Sequence, residues 1–134
     1  MAKVAVLGYG TVGSGVVEVL DTNAAEVAKS AGEAVEVKYI LDLRDFPGDK
    51  HENQVVHDFD IILNDPEVDV ICETMGGLEP AFTFEKKALE SGKSVCTSNK
   101  ELVAAHGPEL VEIAKKNGVS YLFEASVGGG IPVL

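Results

Sequence analysis

The sequence predicts an α/β fold: one domain with a doubly wound parallel sheet and helices on both faces. Three observations lead there. Short apolar runs of strand length alternate with longer segments of helical period. The apolar runs are continuous rather than alternating, as strands buried on both faces require. The later helical segments start at Pro and stop at Gly, and a helix between successive strands makes the connections crossovers of a parallel sheet, expected to be right-handed. The 134 residues suit a single domain, and 46% hydrophobic residues are enough for a packed core.

Each element has its own warrant. Residues 3–8, KVAVLG, are a β-branched run ended by glycine, hence a buried strand. Residues 11–31 read as one helix with Val12, Val16, Val19 and Leu20 on a shared face. Gly15 inside it lowers helix propensity, so a close packing contact is expected there. Residues 36–43, EVKYILDL, predict the second strand, and 44–54 a polar, turn-rich loop containing Pro47 and Gly48. Residues 58–68 predict a short helix or turn stopped at Asp65-Pro66. VDVICET at 68–74 predicts a further buried strand, followed by the loop MGGLEP at 75–80. The helix at 80–92 has Pro80 in its first turn and Gly92 as its stop. KSVCTS at 93–98 is a strand. A short helix starts within 99–107, and another runs over 108–118 from Pro108 to Gly118, with lysines at the negative end of its dipole. VSYLFEAS at 119–126 predicts the last strand.

Charge restricts the partners. Acids outnumber bases 22 to 11, for a formal charge of -11. Such a surface repels phosphate backbones and anionic lipid, so neither nucleic acid nor membrane is expected as a partner. A local pocket for one phosphate is still allowed. The start MAKVAVLG does not read as a signal peptide, and no apolar run reaches the length of a membrane span. Cys72 and Cys96 sit in apolar strand runs and read as buried free thiols, in keeping with a reducing cytoplasm.

Gly8, Gly10 and Gly13 form G-x-G-x-x-G between a strand and a helix, the context in which this motif has physical meaning. The first glycine permits a tight turn, the second lets a pyrophosphate touch the backbone, and the third lets helix and strand pack closely. Free N–H groups and the helix dipole then hold the phosphates. This is the Rossmann-type dinucleotide-binding fold; a merely tight β–α turn is the plain alternative. Asp42, at the end of the second strand, is the candidate for the adenosine ribose. Arg44, two residues on, is the candidate for the 2′-phosphate of NADP. The two signals conflict, either can be a solvated loop charge, and NAD and NADP both stay open.

Gly76 and Gly77 mark close backbone approach in the next loop, toward the second half of the cofactor, or else a plain turn. Lys100 begins a helix at the same carboxyl edge, where a cation is disfavoured by the dipole, so an anionic or polar partner such as a substrate group is expected. Ser98 and Asn99 read as helix caps. His106 reads as a cap contact or surface residue, and His51 and His57 show no pairing.

GYGTVGSGVV, ETMGGLEPA, TSNKEL and YLFEASVGGGIPVL, in this order and at these spacings, resemble the homoserine dehydrogenases over the whole chain. Enzymes of that family interconvert L-aspartate 4-semialdehyde and L-homoserine with NAD(P)H, in threonine, isoleucine and methionine biosynthesis. The resemblance implies cofactor contacts from Gly8, Tyr9, Gly10, Thr11, Val12 and Gly13. It implies further contacts from Asp42, Arg44, Thr74, Met75, Gly76, Ser98 and Lys100. Lys100 matches the family lysine implicated in proton transfer or carbonyl polarisation, and is the candidate catalytic residue. Glu124, Val127, Gly129 and Ile131 match a monovalent-cation site, usually sodium, built mostly from carbonyl oxygens. Leu43 stands where many members differ. Family members are much longer, so residues 1–134 are expected to be the NAD(P)-binding domain. Residues 125–134 would begin the link to a substrate and dimerisation domain through which the full-length protein forms a homo-oligomer. The isolated domain is expected to bind cofactor without turnover. Two other readings are another amino-acid or semialdehyde dehydrogenase of this architecture, and a non-catalytic nucleotide-sensing domain.

Overall fold

A computed structural model describes residues 2–123. Six strands form one parallel sheet: β1 (Ala2–Leu7), β2 (Val35–Leu41), β3 (Val55–Val56), β4 (Val68–Glu73), β5 (Ser94–Thr97) and β6 (Tyr121–Phe123). Their order is β3-β2-β1-β4-β5-β6. The chain therefore starts at the centre, winds out to one edge, and crosses back over β1 to build the other half. The carboxyl ends of β1 and β4 part at this reversal, where open parallel sheets bind ligands.

Strand alternation sorts the core into two clusters. Val4 and Val6 face Val17 and Leu20 of α1 (Thr11–Thr22), together with Val37 and Ile40. Ala5 and Leu7 point the other way, into a larger cluster with Ile71, Val95 and the inner faces of α4 (Ala81–Glu90) and α5 (Lys100–Lys116). Leu7, Ile40, Ile71, Leu89, Leu102 and Leu110 are all 0% exposed. Burying each such side chain stabilises the fold by roughly 1.5–3 kcal/mol.

The structure bears out the alternating plan and departs from it locally. The expected helix over 11–31 is broken at Asn23, which ends α1 and begins α2 (Ala24–Ala31). Thr22 Oγ1 accompanies the break by donating back to the Glu18 carbonyl at 2.8 Å, a bond that weakens helices. The packing contact expected at Gly15 is not found: a Cβ there would meet nothing within 4 Å. The two helices expected over 99–118 are one, because α5 runs through Pro108. Its buried stripe of Leu102, Gly107, Leu110 and Ala114 continues across the proline, and packing on the sheet outweighs the lost backbone donor. The polar loop at 44–54 ends in a 3-10 turn, Glu52–Gln54, and delivers β3, whose two residues are too short to show a period. Residues 59–63 form α3 (Phe59–Leu63), capped by Asp58, whose side chain accepts from the Asp60 N–H.

Candidate functional site

The glycine motif closes the β1–α1 turn, and its three glycines serve three ends. Gly8 has φ +97°, and its N–H donates to the Leu41 carbonyl at 2.7 Å, turning the chain over the end of β2. A Cβ on Gly13 would stand 1.8 Å from the Gly8 carbonyl oxygen, so helix and turn pack too closely for any side chain. Gly10, the N-cap of α1, has nothing within 4 Å of a Cβ position. Among the described residues no side chain caps this helix end, and no acid lies in its first turn, which leaves its N–H groups and dipole facing open space. Thr11 and Val12 occupy that first turn and are exposed.

The turn is locked from both sides. Thr74, just past β4, lies within hydrogen-bond distance of the Leu7 and Gly8 carbonyls, at 2.9 and 3.0 Å. Asp42, just past β2, accepts from the Tyr9 N–H at 2.9 Å. Asp42 also accepts from the Arg44 N–H at 2.9 Å, and from its Nε and Nη2 at 3.0 Å each. The Arg44 guanidinium, then these N–H donors, hold the Asp42 carboxyl well below the usual carboxylate range. Asp42 is 10% exposed and Arg44 64%. The two candidates that compete in the sequence are thus bound to each other, with Arg44 lying over the Phe46 ring.

An open cleft of about 540 Å³ lies against these residues, lined by Gly8, Gly10, Asp42, Arg44, Thr74 and Met75, with Tyr9 at its side. Tyr9 turns its hydroxyl away to Asp49 at 3.0 Å and its ring edge-on to Phe46. Burial, then Asp49, pushes this phenol up to about 12.

Sequence reasoning missed part of the lining. Phe59, Phe84 and Pro80 form an apolar wall, with the two Phe rings stacked at 4.3 Å, yet their helices give no sign that they reach the same cleft. His57, read as unpaired, has Nδ1 at 2.6 Å from the Asp42 carbonyl and Nε2 at 2.9 Å from Asp45. Two acceptors at the two ring nitrogens favour the imidazolium, and they raise the His57 pKa. His51 is paired as well, with Asp21 and Gln54. His106 lies mid-helix, because α5 continues, and packs over Phe82.

Behind the cleft, the loops after β4 and β5 are tied together. Glu73 is fully buried and accepts from the Met75 N–H at 2.7 Å and the Gly76 N–H at 3.3 Å. Its other oxygen accepts from the Thr97 hydroxyl at 2.9 Å, and its carbonyl from the Ser98 N–H at 3.2 Å. Asn99 donates to the Gly77 carbonyl at 2.6 Å and caps α5 by accepting from the Leu102 N–H. Asn99, rather than Ser98, is therefore the side-chain cap. Gly76 and Gly77 have φ +78° and +75° and open space around a Cβ, so turn conformation accounts for them. Lys100 opens α5 at this edge, exposed and outside the cleft lining, with no side-chain hydrogen bond or ion pair among the described residues.

Glu124, Val127, Gly129 and Ile131 lie outside the described residues. Among the described residues, no cluster of His, Cys, Asp and Glu could hold a metal ion. Cys72 and Cys96 form no disulfide; both are half-buried and occupy paired positions on adjacent strands. The Cys96 thiol and burial raise the Cys72 pKa.

A family model described as "Homoserine dehydrogenase, NAD binding domain" matches residues 8–124. The homoserine dehydrogenase of Pseudomonas aeruginosa is 45% identical over 98% of this chain and 31% of its own length. That of Bacillus subtilis is 42% identical, with the same coverage. The chain spans about a third of the length of these curated relatives. Among solved structures, Staphylococcus aureus homoserine dehydrogenase superposes with a TM-score of 0.84 and 38% identity, over 93% of this chain and 32% of that one. A hyperthermophilic archaeal homoserine dehydrogenase mutant in complex with NADPH superposes with a TM-score of 0.73 and 25% identity, over 92% of this chain and 43% of that one.

Proposed function

The chain belongs to the homoserine dehydrogenase family through its NAD-binding domain, and from that premise we propose that it holds NAD(P)(H) in the cleft between β1, β2 and β4. One observation carries the placement: the turn is closed at Gly13 and open at Gly10, above a helix end that no side chain among the described residues caps. The α1 amides take the pyrophosphate. Asp42 offers a carboxylate edge to a ribose hydroxyl, and Arg44 an exposed guanidinium to a 2′-phosphate. The stacked Phe pair provides an apolar face for a base. Thr74, together with Met75 and Gly76 held by Glu73, lines the nicotinamide side, and Ser98 lies on the neighbouring loop.

The whole protein, in this reading, reduces L-aspartate 4-semialdehyde to L-homoserine. The bound cofactor supplies the hydride. The chain's own part is to orient the cofactor, and to place Lys100 Nζ at the substrate edge, where an ammonium polarises the carbonyl or delivers a proton to the developing alkoxide. The remaining catalytic groups, the substrate domain and the homo-oligomer interface belong to the rest of the family's length. A monovalent cation, sodium, at Glu124, Val127, Gly129 and Ile131 is part of the same proposal. So is a reducing cytoplasm, which suits two cysteines that form no disulfide. Among the described residues, no helix is long and apolar enough to cross a membrane.

Titrating NADH and NADPH into the 134-residue chain tests the binding reading. Both are expected to bind, and Arg44→Ala is expected to weaken NADPH selectively. Equal NADPH affinity in the variant removes Arg44 from the 2′-phosphate site. Sustained homoserine-dependent reduction of NAD(P) by this chain alone refutes the assignment of the missing groups elsewhere.

A further inference from the structure

Two acids meet behind the cleft in surroundings that admit one charge. Glu73 and Glu85 are both fully buried. Three donors converge on Glu73, the Met75 and Gly76 amides and the Thr97 hydroxyl, which is the setting of an ionised carboxylate. Glu85, on α4, is served differently. Its Oε1 accepts from the Tyr121 hydroxyl at 2.7 Å, and its Oε2 has no hydrogen-bond partner among the described residues. Two carboxyls enclosed together do not both ionise. Burial first, then the neighbouring Glu73 carboxyl, push Glu85 up to about 9, while the Tyr121 hydroxyl and the nearby Thr97 pull it down. Burial and Glu85 raise the Tyr121 phenol in turn, so it stays a donor over this range.

We propose that Glu85 is a positioning residue for the dinucleotide site: its neutral carboxyl leaves Glu73 as the one ionised member of the pair, which keeps the Met75–Gly76 loop anchored. This rests on the reading of that loop as a cofactor contact. The groups facing Glu85 are Glu73 from β4, Thr97 from β5 and Tyr121 from β6. When Glu85 ionises, two buried carboxylates oppose each other. Relief comes from moving Glu73, and moving Glu73 releases the Met75 and Gly76 amides. Neither acid lines the cleft, so the effect reaches the cofactor only through the loop.

The test follows the Glu85 carboxyl carbon and the Met75 methyl of this chain by NMR between pH 6.5 and 10.5. Met75 is one of two methionines, which makes its methyl a clean probe. NADPH affinity is measured at both ends of the range. In the wild type, the Glu85 carbon is expected to titrate with a midpoint of about 9 and the Met75 methyl to move with it. Affinity should fall roughly tenfold, the worth of one hydrogen bond to a charged group. Glu85→Gln should remove the Met75 titration and most of the fall in affinity, since every other titrating group is shared. A Glu85 carbon already ionised at pH 7, or a Met75 methyl indifferent to its titration, overturns the proposal. A Met75 methyl that follows Glu85 while affinity stays flat removes the loop from the cofactor site and the positioning role with it. Should Glu85→Gln fail to fold, the wild-type titration decides alone.

Discussion

Gly10 and Gly13 are three residues apart and have opposite surroundings, and that contrast makes them separable by mutation. Gly13→Ala drives a methyl to 1.8 Å from a backbone oxygen that cannot swing away, so the turn must open. It is expected to destabilise the domain by about 3 kcal/mol or more and to abolish dinucleotide binding. Gly10→Ala meets nothing in the protein and should change stability by less than about 1 kcal/mol. It should still weaken NADPH roughly tenfold or more, because the methyl enters the space kept for the pyrophosphate. Thermal melts paired with ligand titration separate the two. The motif was legible in the sequence, because glycine spacing between a strand and a helix is local information. The Glu73–Glu85 pair was not legible. In a chain with 22 acids nothing marks the two that tertiary packing encloses. The pairing of Asp42 with Arg44 lay between: both residues stood out, but their mutual bond depends on the turn after β2.

Elements were legible where period and punctuation agreed, and misread where a punctuation residue was overruled. Strand runs and the Gly92 stop follow from local chemistry, and the structure has them. α1 ends at Thr22, whose hydroxyl turns back on the Glu18 carbonyl, a signal weaker than the apolar face on either side of it. At Pro108 the error ran the other way, since a buried stripe carried α5 past a residue that usually starts a helix. The proline leaves the Ala104 carbonyl without its helical donor. Pro108→Ala is therefore expected to stabilise the domain by about 1 kcal/mol or more. A higher urea midpoint at unchanged slope would be the reading, and an unchanged or lower midpoint would mean that the proline is not strained there.

At the scale of the whole molecule, the buried acid on α4 gives stability a pH dependence. Glu85 has its ordinary value near 4.5 when unfolded and about 9 when folded. Its contribution is complete below the unfolded value, erodes as pH rises, and is gone once the folded value is passed. Relative to the wild type, Glu85→Gln should gain about 1 kcal/mol per pH unit between pH 5.5 and 8.5, read from urea denaturation at the two limits. A constant difference would mean that Glu85 is ionised throughout. The winding plan was legible at this scale because alternation and continuous apolar strands admit few topologies. The order β3-β2-β1-β4-β5-β6 adds something about how the chain is made. β1 leaves the ribosome first, and β2 can cover one of its sides early. Its other side waits for β4, so Ala2–Leu7 stays an open, apolar template until residue 73 has been synthesised. Birth of the nascent chain, rather than the finished fold, is where this protein is most exposed to wrong partners.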